Sequence, residues 1–282
     1  MVHPPPQVTL VVPVYNTGSA LRECLDSCMA QTVPCGIVLV DDGSSDPETL
    51  KVLDWAEQSV GMRVIRHPAN RGVAAALNTG LNSVRTPLVL PVGSDDILMS
   101  TLVERALPEF RDESVVAVTW WLEHFGANDH ISRPPGAPNG LQDLVFGNEI
   151  PGASLIRTHH ARGISGWREG LPWGEDWDFW LRLFHSEQGH CVVIPEVLYR
   201  YRQHAGQVTT RLTFEEKHAH HMAIVDANQD IWAGQVAVVM DRFWRQQQRL
   251  WYLHDRYGRI NVELARIKKA YHFLTRRSHR EG

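Results

Sequence analysis

The sequence predicts an α/β protein built on a mostly parallel sheet with helices on both faces. Three observations predict this class. Short apolar runs rich in β-branched residues alternate with segments of helical periodicity. The connections between them are short, which is typical of repeated strand–helix units. The runs also end in polar residues, and open parallel sheets bind ligands beyond the carboxyl ends of their strands.

The chain begins with two such units. Residues 7–15 (QVTLVVPVY) predict a buried strand, and Ser19 follows as a candidate N-cap of the first helix. Residues 36–42 predict a second strand that ends in two acids. Pro47 then marks the start of the second helix, where the missing N–H of proline is not needed.

Two further units follow. Residues 62–68 and 86–92 predict the third and fourth strands, and the alanine-rich residues 72–84 predict the helix between them. The turn GSDDIL (93–98) leads into another helix. Four strand ends therefore place polar side chains along one predicted edge of the sheet: Asn16, Asp41, Asp42, Asn70, Arg71, Asp95 and Asp96.

The pattern changes after this point. SVVAVTWW, PGASLIR and CVVIPEVLYRYR predict further strands, and GEDWDFWLRLFHSEQG predicts an amphipathic helix. Residues 126–140, with three prolines and three glycines, predict an irregular loop. From Thr213 onward the chain is predicted to be helical, with Gly258 dividing the tail into two helices.

Composition narrows the class of protein. The 282 residues are 43% hydrophobic and 21% charged, as in an ordinary globular protein. The segment MVHPPPQ lacks the pattern of a signal peptide, and no apolar run approaches the ~20 residues of a membrane span. We therefore expect a cytoplasmic protein, with peripheral attachment to a membrane left open. The four cysteines lack CxxC spacing, which favours reduced thiols over a metal site.

Charge is unevenly distributed. The net charge is −4, but the residues from Asp241 onward contain 11 basic and four acidic residues, a balance of +7. This tail also contains apolar residues from Leu250 to Leu274 at near-helical spacing, which favours packing of one face. Three partners fit it: an anionic membrane, a nucleic-acid backbone, or the protein itself, either the preceding part of its own chain or a second subunit.

The polar residues at the strand ends suit a nucleoside diphosphate sugar. Asp95 and Asp96 could ligate the Mg²⁺ or Mn²⁺ that offsets a diphosphate, because these cations prefer oxygen ligands. Asp41 and Asp42 could bond a base or a ribose. A distant carboxylate, Asp176, could remove a proton from an incoming hydroxyl. Each residue alone is better explained as a helix cap or a turn residue.

The order of six motifs resembles the family 2 glycosyltransferases, which have the GT-A fold. The motifs are VVPVYN, VDDGSSD, NRGVAAALNTG, GSDDIL, GEDWDFWLRL and YRYRQH, spread over residues 7–210. The resemblance implies transfer of a sugar from a nucleoside diphosphate donor, a UDP-sugar being favoured, with inversion at the anomeric carbon. It also implies a GT-A domain over residues 1–212, with a nucleotide-binding half (7–114) and an acceptor half (115–212). A basic, aromatic-rich helical extension over 213–282 follows it.

Donor-side roles carried over from the family fall on seven residues. The resemblance implies that Asp42 bonds the base and that Asp95 lies near the ribose and diphosphate. The full set for nucleotide-sugar binding is Pro13, Tyr15, Asp41, Asp42, Arg71, Asn78 and Asp95. The family also implies a divalent cation, Mn²⁺ or Mg²⁺, held by Asp96 and by His204.

Acceptor-side roles fall on the motif GEDWDFWLRL and its neighbours. The resemblance implies that Asp176 is the general base, with Glu175 beside it. Trp173 and Trp177 are candidate acceptor residues, since aromatic faces stack on sugars and bases. The expected acceptor is a hydroxyl of a saccharide, of a lipid-linked glycan or of a hydroxylated nucleic-acid base.

One position departs from the family pattern. Gly93 stands where the family often has a carboxylate, so we expect weak metal affinity that depends on bound nucleotide. A donor-binding protein without catalysis remains an alternative. A nucleotidyltransferase is a second alternative, although the segment after the first strand lacks the glycine- and lysine-rich phosphate loop that such an enzyme would need.

Overall fold

The computed structural model describes residues 5–204 and 212–278, and side chains as far as Tyr257. In these ranges nine strands form one sheet in the order β3-β2-β1-β4-β8-β6-β9-β5, with β7 paired to β6. The strands are β1 (Val8–Val14), β2 (Cys35–Asp41), β3 (Met62–Arg66), β4 (Leu88–Pro91), β5 (Ile97–Leu98), β6 (Val115–Gly126), β7 (His130–Ser132), β8 (Leu155–Arg157) and β9 (His190–Gln203).

Helices connect and cover these strands. They are α1 (Ala20–Met29), α2 (Pro47–Glu57), α3 (Val73–Ser83), α4 (Leu102–Ala106), a 3-10 helix (Leu107–Arg111), α5 (Leu141–Leu144), α6 (Thr158–Gly163), α7 (Glu175–Ser186), α8 (Phe214–Ala227), α9 (Gln229–Gly234) and α10 (Val236–Ser278). None of the helices in the described part of the chain is long and apolar enough to cross a membrane.

The strand directions place one set of loops at one edge of the sheet. Strands β3, β2, β1 and β4 are parallel, and Val14 at the end of β1 pairs with Asp41 at the end of β2. Strand β8 runs antiparallel to β4, so the segment before β8 lies beyond the carboxyl end of β4. Strand β6 is antiparallel to β8, and β9 is parallel to β6. The carboxyl end of β9 therefore lies at this same edge, which we call the carboxyl edge.

The predicted α/β class and the first four strands are confirmed. The parallel strands read as continuous apolar runs because helices cover both of their faces. Leu10, Leu39 and Leu90 at the centre of β1, β2 and β4 are fully buried. Pro47 opens α2 as predicted, behind Asp46, whose carboxylate accepts a hydrogen bond from the Thr49 N–H at 2.8 Å.

Two local predictions were wrong. The irregular loop at residues 126–140 contains β7, which pairs with β6 after a turn at Gly126, where φ is 102°. Gly258 does not divide the tail, because α10 is one continuous helix from Val236 to Ser278. A single glycine costs a helix only about 1 kcal/mol, so flanking residues can carry the helix through it.

The chain divides into two compact units after Gly234, and the domain boundary at residue 212 stays a prediction. Within the first unit, a buried carboxylate, Asp178 on α7, joins distant segments. It accepts hydrogen bonds from Arg168 at 3.0 Å, Arg182 at 2.8 Å and Asn228 at 2.8 Å. Because Asn228 lies between α8 and α9, this network ties both helices to the first unit. The second unit, from Gln235, consists of α10.

Candidate active site

The loops after β1, β2 and β4 meet at the carboxyl edge. The Asn16 carboxamide oxygen accepts hydrogen bonds from the N–H groups of Ser45 and Asp46, at 2.8 and 2.9 Å. The hydroxyls of Thr17 and Ser94 are 2.7 Å apart. The polar residues that follow three strands thus form one connected surface.

Tyr15 and Pro13 lie at the end of β1. The Tyr15 side chain is 52% exposed, while Pro13 is partly buried in the strand. An exposed ring at this edge can stack on a base or a sugar. The donor-binding role of both residues stays a prediction.

Asp42 is buried and already fully bonded. Its carboxylate accepts the backbone N–H of Arg71 at 2.9 and 3.1 Å and that of Gly72 at 2.8 Å. It also lies 2.7 Å from Nδ1 of His67. Instead of presenting its oxygens to a base, Asp42 fixes the loop that carries Arg71. The Arg71 side chain is itself half exposed and lies 3.3 Å from Glu169.

Asp41 is also turned inward. One of its oxygens accepts the Ser44 N–H at 2.9 Å, and the other lies 3.7 Å from the Arg66 guanidinium. The first two acids of the motif VDDGSSD therefore hold the loop itself. Their predicted contacts with base or ribose are not prepared in this conformation.

Asn78 connects two segments of the protein. Its amide donates to the Trp167 carbonyl at 2.7 Å, and its oxygen accepts the Trp167 N–H at 2.8 Å. A Cβ at Gly166 would lie 2.2 Å from this oxygen, so the chain passes very close there. Asn78 thus anchors the segment before α7, and its role in nucleotide-sugar binding stays a prediction.

The two aspartates of GSDDIL have different surroundings. Asp96 is buried, and its two oxygens accept the Tyr199 hydroxyl at 2.7 Å and the Arg202 N–H at 2.8 Å. Burial, with the negative charge of Asp95 beside it, raises the pKa of Asp96 to about 7. Asp95 is more open, and its carboxylate lies 3.2 Å from Nε2 of His204. The pairing with His204 thus belongs to Asp95, whereas the sequence assigned the metal to Asp96.

Gly93 makes room for the buried carboxylate. A Cβ at this position would lie 2.2 Å from Oδ2 of Asp96. The Gly93 N–H also donates to the Tyr199 hydroxyl at 3.0 Å. Glycine is therefore required because the side chain of Asp96 occupies the space that a side chain at position 93 would need.

We expect Gly93→Ala to lower the free energy of unfolding by about 1–3 kcal/mol, since overpacking costs this much. Urea denaturation measures the change. Gly147→Ala is the matched control, because its added Cβ would have no atom within 4 Å. Equal stability of the two variants would contradict this account of the turn.

Arg202 and Tyr199 on β9 were missed by the sequence reasoning. Besides its backbone contact with Asp96, Arg202 donates from Nε to the Asp95 carbonyl at 2.7 Å. Its terminal nitrogen Nη2 donates to the Glu23 carboxylate at 2.7 Å. Both residues belong to the motif YRYRQH, in which the resemblance implies a role, that of metal ligand, only for His204. These residues hold the turn after β4 from the opposite side.

Asp95 and His204 could supply two of the ligands of a divalent cation. Within the residues that the structure describes, no group of three His, Cys, Asp or Glu side chains could hold a metal. A carboxylate and an imidazole at 3.2 Å supply two suitable donors. The remaining positions would go to diphosphate oxygens and water, which Mg²⁺ commonly retains.

Asp176 and Glu175 occupy the first turn of α7. Asp176 accepts the Asn148 amide at 2.8 Å and the Trp177 N–H at 2.8 Å. Burial raises the pKa of Asp176 above its ordinary value. Burial and the charge of Asp176 raise the pKa of Glu175 to about 7. Two carboxyl groups with raised pKa values in one turn are typical of acid–base sites.

Asn148 ties Asp176 to the carboxyl edge. It belongs to the segment before β8, which lies beyond the end of β4. Gly152 in the same segment also lies beside Asp176: a Cβ added at Gly152 would be 3.6 Å from Oδ2 of Asp176. The candidate base is therefore at the same edge as Asp95, although 80 positions separate them in the sequence.

The two candidate acceptor tryptophans have different environments. Trp177 is 5% exposed, and its indole N–H donates to the Leu144 carbonyl at 2.8 Å. It packs in the core, and its role as an acceptor residue stays a prediction. Trp173 is only partly buried and lies beside the rings of His220 and His221, at centroid distances of 6.2 and 5.7 Å.

The chain is similar to known glycosyltransferases. Residues 9–168 match the sequence model of the family described as Glycosyl transferase family 2. The uncharacterized glycosyltransferase EpsJ of Bacillus subtilis (strain 168) is 36% identical over 222 residues, which is 72% of this chain and 63% of EpsJ. The chain spans less than two thirds of the length of the curated relatives that it matches.

Solved structures share the fold. The crystal structure of S. aureus TarS 1–349 in complex with UDP-GlcNAc has a TM-score of 0.63 at 20% identity, covering 73% of this chain and 61% of that one. The mannosyltransferase PcManGT of Pyrobaculum calidifontis, in complex with GDP-Man and Mn²⁺, has a TM-score of 0.59 at 18% identity, covering 79% of this chain and 65% of that one. The family match and the shared architecture lead to one conclusion: this chain belongs to glycosyl transferase family 2 and has the GT-A fold.

Proposed function

We propose that this protein transfers a sugar from a nucleoside diphosphate sugar to an acceptor hydroxyl, with inversion at the anomeric carbon. The observation that carries the proposal is the position of Asp176, whose pKa is raised, at the same edge of the sheet as Asp95 and His204. A uridine donor is favoured because the TarS structure of similar fold is a complex with UDP-GlcNAc. The GDP-Man complex of PcManGT makes a guanosine donor the main competitor.

Donor binding would use the exposed groups of the carboxyl edge. Tyr15 offers a ring for the base, and the Arg71 guanidinium offers charge to a phosphate. Asp95 and His204 would hold the divalent cation, which, when bound, offsets the negative charge that grows on the departing diphosphate. The inward-facing Asp41 and Asp42 keep these loops in place.

Asp176 would act on the acceptor. Its carboxylate accepts the proton of the acceptor hydroxyl while that oxygen forms a bond to the anomeric carbon. The bond from the same carbon to the diphosphate oxygen breaks on the opposite face, so the configuration inverts in a single displacement. Asn148 fixes the orientation of Asp176, and partial burial strengthens its interaction with the incoming hydroxyl.

Release of nucleoside diphosphate from a panel of donors tests the proposal. The purified chain is incubated with UDP-GlcNAc, UDP-glucose or GDP-mannose and Mn²⁺, with simple saccharides as acceptors and with EDTA as the metal-free control. We expect one uridine donor to be consumed and EDTA to stop the reaction. Donor binding without release from any donor would instead support the alternative, a binding protein without catalysis.

A further inference from the structure

Helix α10 carries a regular apolar seam. From Val236, alternate steps of three and four residues reach Leu274 through twelve positions, of which eleven are apolar or aromatic and one is Gln246. The helix contains 13 residues of the types Asp, Glu, Lys and Arg, and none falls on these positions. This spacing is the a and d pattern of a coiled coil, with Val236 as the first a position.

The period of the seam identifies the kind of partner. An ideal α-helix has 3.6 residues per turn, so a strict seven-residue repeat drifts by roughly 20° per heptad. Over five heptads the stripe turns by about 100° around a straight helix. A flat membrane or a straight groove would favour a 3.6-residue period, whereas a helix that supercoils around α10 follows a 3.5-residue period.

Most of the described part of the seam is exposed to solvent, whereas Val239 is partly buried. Val236 is 56% exposed, Leu250 51% and Leu253 39%. A long helix gains most of its stability from packing an apolar face, so the exposed apolar residues between Val236 and Tyr257 leave this part of α10 marginal on its own. The exposed seam therefore needs a partner of matching period.

Charge at the seam borders fits a second copy of the same helix. In a parallel, in-register pair, each g position faces the e position five residues later on the partner. Glu263 then faces Lys268, and Arg242 faces the neutral Gln247. The arginines at positions 249 and 256 face His254 and Asn261, so none of these four pairs places two acidic residues, or two residues of the types Lys and Arg, opposite each other.

We propose that α10 forms a parallel, in-register, left-handed coiled coil with α10 of a second copy of this chain. The basic residues of α10 occupy positions other than a and d. The coiled coil thus accounts for the apolar residues at the a and d positions and leaves the charged residues outside these positions. It stands independently of the proposed enzymatic activity.

Light scattering coupled to size-exclusion chromatography tests the seam on the full chain. The wild-type protein is expected at a multiple of its 32.0 kDa chain mass. Leu250→Glu with Leu253→Glu places charge at an a and a d position and should reduce the mass to that of one chain, a fall of about twofold or more. The matched control, Trp251→Glu with Tyr252→Glu, changes two exposed aromatic residues outside the seam and should keep the wild-type mass.

Cross-linking tests whether the two helices are parallel, and it leaves every apolar residue of the seam unchanged. Gln246→Cys places a thiol at a d position, where parallel in-register helices bring the two copies together. Gln248→Cys is the matched control on the outer face. Mild oxidation should give a covalent dimer of the first variant only; equal cross-linking of both variants, or of neither, would overturn the parallel register.

Other partners would give distinct results. A wild-type protein with the mass of one chain overturns the proposal. If that single chain also sediments with phosphatidylglycerol vesicles, the helix binds an anionic surface, and if it shifts duplex DNA in a salt-dependent way, the helix binds nucleic acid. Loss of oligomerisation in the Trp251→Glu, Tyr252→Glu control as well would show unspecific association of an apolar helix and would overturn the heptad seam.

Discussion

Asp176→Asn is expected to lower the turnover of sugar transfer by about 10²- to 10⁴-fold, the usual contribution of a general base. Asparagine keeps the shape of the side chain and can still accept the Asn148 amide, but it cannot take a proton from the acceptor. Donor binding should stay near the wild-type value, because Asp176 is on the acceptor side. Steady-state kinetics gives the turnover, and calorimetric titration gives the donor affinity.

Asp54→Asn provides the matched control for this substitution. Asp54 is a surface carboxylate paired with Arg66 at 2.7 Å, so the same chemical change there should leave turnover near wild type. Glu175→Gln tests the neighbouring carboxyl. A loss in Glu175→Gln as large as that expected for Asp176→Asn, with Asp176→Asn active, would move the base to Glu175.

The pH dependence of the wild-type enzyme gives a second readout. Only the ionised carboxylate can accept the proton, so turnover falls as the pH drops through the pKa of the base. Because burial raises the pKa of Asp176, this fall should begin at a higher pH than for an ordinary aspartate. An acid limb at the ordinary pKa of aspartate, near 4, would argue against a buried base.

The strands and their order could be predicted because apolar runs and helical periodicity are local properties of the sequence. The parallel core follows from strands that are apolar on both faces, such as β1 and β2. Polar residues at strand ends were less informative. Asp42 and Asn78 have the residue types that a nucleotide needs, yet their own loops and neighbouring segments use those atoms.

The part of the candidate site that the sequence did not predict depends on contacts between distant segments. Tyr199 reaches Asp96 because β9 pairs with β5, a two-residue strand that the sequence does not indicate. Asn148 reaches Asp176 because β8 returns antiparallel to β4. Motifs therefore indicated the loops of the candidate site, whereas pairings between strands decide which carboxylate faces solvent.

The adjacent carboxylates after β4 allow a direct comparison. Asp95→Asn should raise the Mn²⁺ concentration for half-maximal release of nucleoside diphosphate by at least about 10- to 100-fold, since outer-shell substitutions alone cost this much affinity. Asp96→Asn should leave that concentration near wild type. The physical reason is that both carboxylate oxygens of Asp96 already accept hydrogen bonds, from Tyr199 and Arg202. The carboxylate of Asp95 is more exposed and lies beside His204.

Titration of Mn²⁺ into each variant at saturating donor measures the effect, and thermal unfolding shows whether both variants are folded. His204→Ala should shift the metal requirement in the same direction as Asp95→Asn, because the two side chains are 3.2 Å apart. The opposite result, a large shift for Asp96→Asn and none for Asp95→Asn, would restore the assignment made from the motif. It would also require Asp96 to leave Tyr199 when the donor binds, which would expose the space beside Gly93.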